Sequence, residues 1–142
     1  MSSQIPTQAN MFKELVIKSD PDNIYQVEEF IESVRDELNF KDDVYGNVMV
    51  AITEAVNNSI VHGNEGDANK TVHITCESKN PYRLIVSVED QGKGFDPNSL
   101  PDPTAPENLE NPGGRGVFLM QHLCDEIDFQ EEGRKVQMIF NI

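Results

Sequence analysis

Apolar residues first fall at alternate positions, then at spacings of three and four, and this switch of period recurs to the end of the chain. From Met11 to Lys18, Leu15 and Ile17 stand at strand spacing after an aromatic start, which predicts a first strand. Asp20-Pro21 then has the form of an N-cap followed by proline at the first helical position. Ile24, Val27, Ile31, Val34 and Leu38 follow at helical spacing, with Glu28, Glu29, Glu32 and Asp36 on the opposite, solvated face. A second helix is predicted from about Asp42 to His62, with Val44, Val48, Ala51, Ile52, Ala55, Val56 and Ile60 as its buried stripe. Two strands come next, Val72, Ile74 and Cys76 sharing one face and Leu84, Val86 and Val88 another, with Asn80-Pro81 as the turn between them.

Residues 95–113 carry five of the eight prolines and no apolar period, the mark of a long functional or disordered loop. A short helix from about Gly116 to Leu123 follows, and then a closing hairpin. Its strands hold Ile127–Phe129 and Val136, Met138, Phe140 and Ile142, and Glu132-Gly133 turns it. Internal repeats are absent from the sequence. The expected organisation is a flexible N-terminus over residues 1–10 and one domain over 11–142. Helices separated by hairpins point to an α+β fold: a two-layer α/β sandwich of a mixed, mostly antiparallel sheet with helices on one face.

A chain of 142 residues with 37% hydrophobic and 25% charged residues can bury one core and has the composition of a soluble domain. Its 25 acidic against 11 basic side chains give a net charge of −14, which disfavours direct binding to nucleic acid or to anionic membranes. The same charge suits either solubility or a partner with a basic face. Cys76 and Cys124 are too few for a disulfide framework or a zinc site, and Cys76 falls on the apolar face of its strand. With no leader-like start and no apolar run long enough to span a bilayer, a cytoplasmic protein is expected.

Three segments carry chemistry. On the second helix, Glu54 and Asn58 stand one turn apart just off the edge of the buried stripe, with Asn47 between them in projection. Alone, such a pair is ordinary surface. The strand ending at Asp90 then breaks into Gly92-Lys93-Gly94-Phe95, a carboxylate followed by glycines that let a ligand approach bare backbone. After the proline-rich loop, Gly113-Gly114-Arg115-Gly116 opens an apolar helix, where free N–H groups and the helix dipole favour phosphate. Arg115 could add charge-assisted bonds to the same anion. Walker A spacing is missing, so a P-loop is excluded.

In order and spacing, these segments resemble the N, G1 and G2 boxes of the GHKL superfamily, whose nucleotide site is the Bergerat fold. EAVNNSIVHGN, DQGKGF and GGRGVFLMQHLCDEI look most like the small bacterial anti-sigma-factor serine kinases and their histidine-kinase-like ATPase relatives. The resemblance implies ATP and Mg²⁺ as cofactors, with Asn58 as a magnesium ligand and Glu54 as the general base. It implies that Asp90 accepts a hydrogen bond from the adenine amino group and that Gly92 and Gly94 let backbone pass close to the nucleotide. Gly114, Arg115 and Gly116 would hold the phosphates, and residues of about 95–113 would form an ATP lid. His62 stands where that branch has a histidine and is read as structural or pocket-lining. Nothing in the context of His62, His73 or His122 suits a phosphoacceptor, so a complete histidine kinase is not expected. One departure concerns the position after the glycine that opens the last strand. Threonine is frequent there in the family, whereas Gly133 is followed by Arg134 and Lys135.

By resemblance, the function is that of a serine kinase that phosphorylates a STAS-type antagonist and sequesters a sigma factor or similar regulator, with room for a homodimer. The rivals are an ATP-gated binding module without phosphotransfer and a standalone ATPase module working with a separate phosphoacceptor protein.

Overall fold

In the computed structural model, which describes residues 10–92 and 112–142 (112–115 in backbone alone), the alternating segments form one five-stranded sheet. The strands are β1 (Met11–Lys18), β2 (Thr71–Asn80), β3 (Arg83–Glu89), β4 (Glu126–Gln130) and β5 (Lys135–Asn141). Their order across the sheet is β1-β2-β3-β5-β4. Every pairing among the described residues is antiparallel, so the expected α+β architecture holds and only the parallel part of the expected mixed, mostly antiparallel sheet does not form. The reason is topological. Two helices separate β1 from β2, so the chain returns reversed. β3 and β4, joined through one helix, do run the same way, but β5 is inserted between them and no parallel pair forms.

The register puts the buried apolar residues of the strands on one side, and leaves Phe12, Val16, Ile85 and Ile139 on the other. Leu15 faces Ile74, Ile74 faces Val88, Cys76 faces Val86, and Leu84 faces Phe140. The Val72 and Leu84 sets therefore share one sheet face instead of lining two. Three helices cover that face: α1 (Ile24–Leu38), α2 (Asp42–Asn58) and α3 (Pro112–Leu123). α1 buries Val27, Ile31 and Val34, and α2 buries Val48, Ala51, Ile52, Ala55 and Val56. Each such aliphatic side chain withdrawn from water contributes about 1.5–3 kcal/mol, so the helices are held by this stripe and not by propensity alone. The acidic face of α1, with Glu28, Glu29, Glu32 and Asp36, is exposed as expected. Cys76 is fully buried in the sheet, and burial pushes its thiol up to about 12, which leaves it an inert core residue.

Local signals mostly act where the sequence placed them. Asp20 caps a 3₁₀ turn over Pro21–Asn23, accepting a bond from the Asp22 N–H at 2.9 Å, and α1 starts directly after it. Asn80 Oδ1 accepts from the Tyr82 N–H at 2.9 Å to close the β2–β3 turn. The last hairpin turns through Glu131–Gly133, where Gly133 takes φ +87°. Two helix boundaries differ from expectation. α2 ends at Asn58 and passes into a π-helical turn over Ser59–Gly63, instead of running on to His62 as an α-helix. α3 begins at Pro112, four residues early, because proline suits a first turn, so the glycines lie inside that turn. The flexible stretch expected before residue 10 and the lid expected over 95–113 lie outside the described residues, except for the lid's last two, which open α3. Among the described residues no helix is long and apolar enough to cross a membrane.

Candidate functional site

β3 delivers the key carboxylate. Val88 still points into the core; one ladder step later the strand ends, and Asp90 occupies the next core-side position with only 7% of its surface exposed. Its backbone N–H donates to the Arg134 carbonyl at 2.9 Å, which ties the strand end to the turn before β5. One carboxylate oxygen, Oδ1, accepts from the Gly92 N–H at 2.8 Å. Burial raises the Asp90 pKa above the ordinary carboxylate value, against the opposing pull of the Gly92 N–H and of Arg134. A buried acceptor held at such a cost is a candidate for ligand recognition.

Around it lies a cleft between α2, α3 and the sheet. Ala55, Val88, Met120, Phe129 and Val136 make an apolar slot, and Asn58, Ser59, Asp90 and Arg134 supply its polar atoms. Asn58 sits on the last residue of α2, so the helix aims its amide along the cleft while Asp90 closes the sheet side. This combination, apolar walls with a few convergent polar groups, is the usual make-up of a small-molecule site.

Glycines set the closest approaches. A side chain at Gly63 would collide with the Asp90 carboxylate, and one at Gly92 would strike the Gly63 carbonyl. The π-turn that carries Gly63 is what brings this backbone against Asp90. Such turns shift register by one residue and recur at functional sites. At the other end, a Cβ on Gly116 would lie 2.8 Å from Asn58 Nδ2 and 3.0 Å from its Oδ1. The start of α3 is therefore packed directly on the Asn58 amide. Since that amide is the movable end of a side chain, Gly116→Ala is expected to leave the melting temperature unchanged or slightly raised, alanine being about 1 kcal/mol the better helix former. The same change should displace the Asn58 amide from its place on the cleft wall.

Of the residues singled out from the sequence, Asn58 and Asp90 line the cleft together, and Gly92 and Gly116 stand against them. Glu54 is partly buried one turn before Asn58 and is not part of the lining. Gly114 and Arg115 lie in the first turn of α3, and Gly94 lies outside the described residues. Asn47 is exposed. His62 is also exposed and does not line the cleft, against the structural or pocket-lining role expected, because the π-turn rotates it outward.

Sequence reasoning missed Gly63, Asn64 and Arg134. Glycine and asparagine directly after the helix were a visible signal, though one that equally marks an ordinary helix end. Arg134 stood out only as a departure. It holds Asp90 by its carbonyl, and its guanidinium, 3.9 Å from Glu131, forms part of the cleft rim.

Residues 17–140 match the family model described as a histidine kinase-like ATPase domain. Among curated proteins, the chain is 35% identical over 83 residues to an anti-sigma F factor of Shouchella clausii, covering 56% of each chain. It is 29% identical over 94 residues to the anti-sigma F factor of Heyndrickxia coagulans, covering 64% of this chain and 63% of that one. Similarity to the serine-protein kinase RsbW of Staphylococcus epidermidis is 29% over 97 residues, 63% of this chain and 61% of the relative. The match thus spans less than two thirds of the length of these relatives.

Proposed function

The chain belongs to the histidine kinase-like ATPase family, and from that premise we propose that it is an ATP- and Mg²⁺-dependent protein serine kinase of the anti-sigma type. The observation that carries the proposal is the meeting of Asp90 and Asn58 in one apolar cleft. Asp90 presents a buried acceptor to the six-position of the base, where adenine carries an amino group and guanine a carbonyl oxygen, and this favours adenine. Asn58 offers a single amide oxygen, and among the described residues no cluster of three or more His, Cys, Asp or Glu could hold a metal unaided. That donor set fits magnesium, which takes most of its ligands from phosphates and water. Once bound, Mg·ATP supplies the transferable phosphoryl group with its charge partly neutralised.

The chain's own residues position and deprotonate. Glu54, one turn before Asn58 on the same helix, accepts the proton of the attacking serine hydroxyl. Gly114, Arg115 and Gly116 in the first turn of α3 receive the phosphates at its positive end. Gly92 lets backbone pass close to the nucleotide. The acceptor is a serine on a STAS-type antagonist, and the alternate partner is a sigma factor or comparable regulator in the cytoplasm. The names of the similar proteins, an anti-sigma factor and a serine-protein kinase, support the sigma factor and the serine acceptor.

One observation favours a second reading, an ATP-gated binding module without phosphotransfer: Glu54 stands outside the cleft lining. Both readings require nucleotide. Mg·ATP at one hundred times its dissociation constant is expected to stabilise the fold by about 2.7 kcal/mol, seen as a rise in melting temperature. A melt that ATP does not move, or that GTP moves equally, refutes the pocket assignment.

A further inference from the structure

The β2–β3 ladder ends in an unusual way. His73 pairs with Glu89, so two steps on, past Val72 and Asp90, the next hydrogen-bonded pair in register would be Thr71 with Gln91. Those two residues do not bond backbone to backbone. Instead the Asn64 side chain stands between them: its Nδ2 donates to the Thr71 carbonyl at 3.0 Å, and its Oδ1 accepts from the Gln91 N–H at 2.8 Å. Gln91 Oε1 in turn accepts from the Thr71 N–H at 2.8 Å, closing a ring of three residues. Asn64 has no exposed surface, and its own N–H donates to the Ser59 carbonyl at 2.7 Å, the bond that completes the π-turn.

A buried carboxamide is costly unless each of its polar atoms is bonded. Here it acts as a spare peptide group, one donor and one acceptor, inserted into the ladder where the strands would otherwise pair directly. The insertion separates Gln91 from Thr71 by the width of a side chain. It also anchors Gly63, the residue before Asn64, against Asp90 and Gly92.

We infer that Asn64 is a positioning residue: by splicing its amide between Thr71 and Gln91 it stops the ladder short and holds the Asp90 carboxylate in its seat against Gly63. The seat is a property of the fold alone; the consequence for nucleotide choice rests on the role proposed above for Asp90. Removing the amide frees the Gln91 N–H and the Thr71 carbonyl to bond each other, which extends the ladder by one pair and pulls Gly92 off Asp90. The expected signature is therefore selective, unlike that of general loosening.

Amide hydrogen exchange of the full chain without nucleotide tests the seat. In Asn64→Ala the Gln91 amide should stay protected within about threefold, while the Gly92 amide speeds up about tenfold or more and Val86 in the core is unchanged. Gln91→Ala, a change at an exposed side chain, opens the same ring without touching the core and should speed the Gly92 amide about threefold. Should Asn64→Ala fail to fold, Gln91→Ala decides alone. Unchanged Gly92 exchange, or Gly92 and Val86 accelerating together, overturns the inference. A nucleotide arm then asks whether Asn64 acts through Asp90. Asn64→Ala should lower the preference for ATP over GTP about tenfold in the native background and by less than about twofold in an Asp90→Ala background. An equal loss in both backgrounds refutes that route. A wild-type chain with no preference for ATP refutes the role of Asp90, and the exchange result still decides the seat.

Discussion

Glu54→Gln is expected to lower phosphoryl transfer to a serine-bearing antagonist by about 10²–10⁴-fold, the usual contribution of a positioned base, while ATP affinity stays within about twofold. The argument is one of geometry and charge. Glutamine keeps the size of the side chain and its partly buried place on α2. What it loses is the ability to take a proton. Asn58→Ala should do the reverse at the first step: in the role proposed for it, the cleft-lining amide faces the metal, and its loss would weaken Mg·ATP binding itself. Parallel measurement of affinity and single-turnover transfer separates the two. Full transfer by Glu54→Gln would rule out Glu54 as the base, whereas no transfer by the native chain would rule out the kinase and leave the ATP-gated binding module.

The second large effect is at Asp90. Asp90→Asn should cost about tenfold or more in ATP affinity and abolish the preference for ATP over GTP. The amide cannot satisfy both neighbours. With its oxygen toward the Gly92 N–H it offers a donor to the adenine amino group, and turned round it sets that donor against Gly92. Stability should move the other way. Burial raises the Asp90 pKa, so the folded chain holds this proton more tightly than the unfolded one. Ionised Asp90 therefore works against the fold above its folded pKa, and that penalty disappears as pH falls below the unfolded carboxylate value of about 3.9. Asp90→Asn should thus melt at or above the wild-type temperature at pH 7, with the advantage shrinking toward pH 4. A variant that binds ATP normally, or that melts well below wild type at neutral pH, contradicts this account. The pairing of better stability with lost recognition is what a carboxylate kept for a ligand would show.

Much of this was legible in the residues. Alternation marked β2, β3 and β5 because one sheet face is buried and the other is not, and the three-and-four spacing marked α1 and α2 for the same reason. Asn58 and Asp90 could be singled out only together: an amide beside a buried stripe and a carboxylate before glycines are each ordinary alone, and their order along the chain is what is specific. The π-turn left no trace, since a one-residue widening changes which atoms bond and not which residues are apolar. Asn64 could not be weighed either. A polar residue after a helix is ordinary until β2 and β3 close around it, and only the tertiary fold makes it buried. The absence of parallel pairing was likewise hidden, because strand order is set by where β5 inserts and not by any local pattern.

The insertion of β5 between β3 and β4 also orders events in folding. The bond from the Asp90 N–H to the Arg134 carbonyl, and the pairing of Glu89 with Lys135 beside it, close a loop that contains all of α3. Contacts of such range form only after the entropy of the whole intervening segment has been surrendered. The β2–β3 hairpin, by contrast, needs only a tight turn. A partly folded chain can therefore hold half of the sheet and yet have no cleft, since one wall arrives with the final strand. Nucleotide can act only on the completed molecule: it slows loss of the last-formed pairing and gives no help to the chain on its way there.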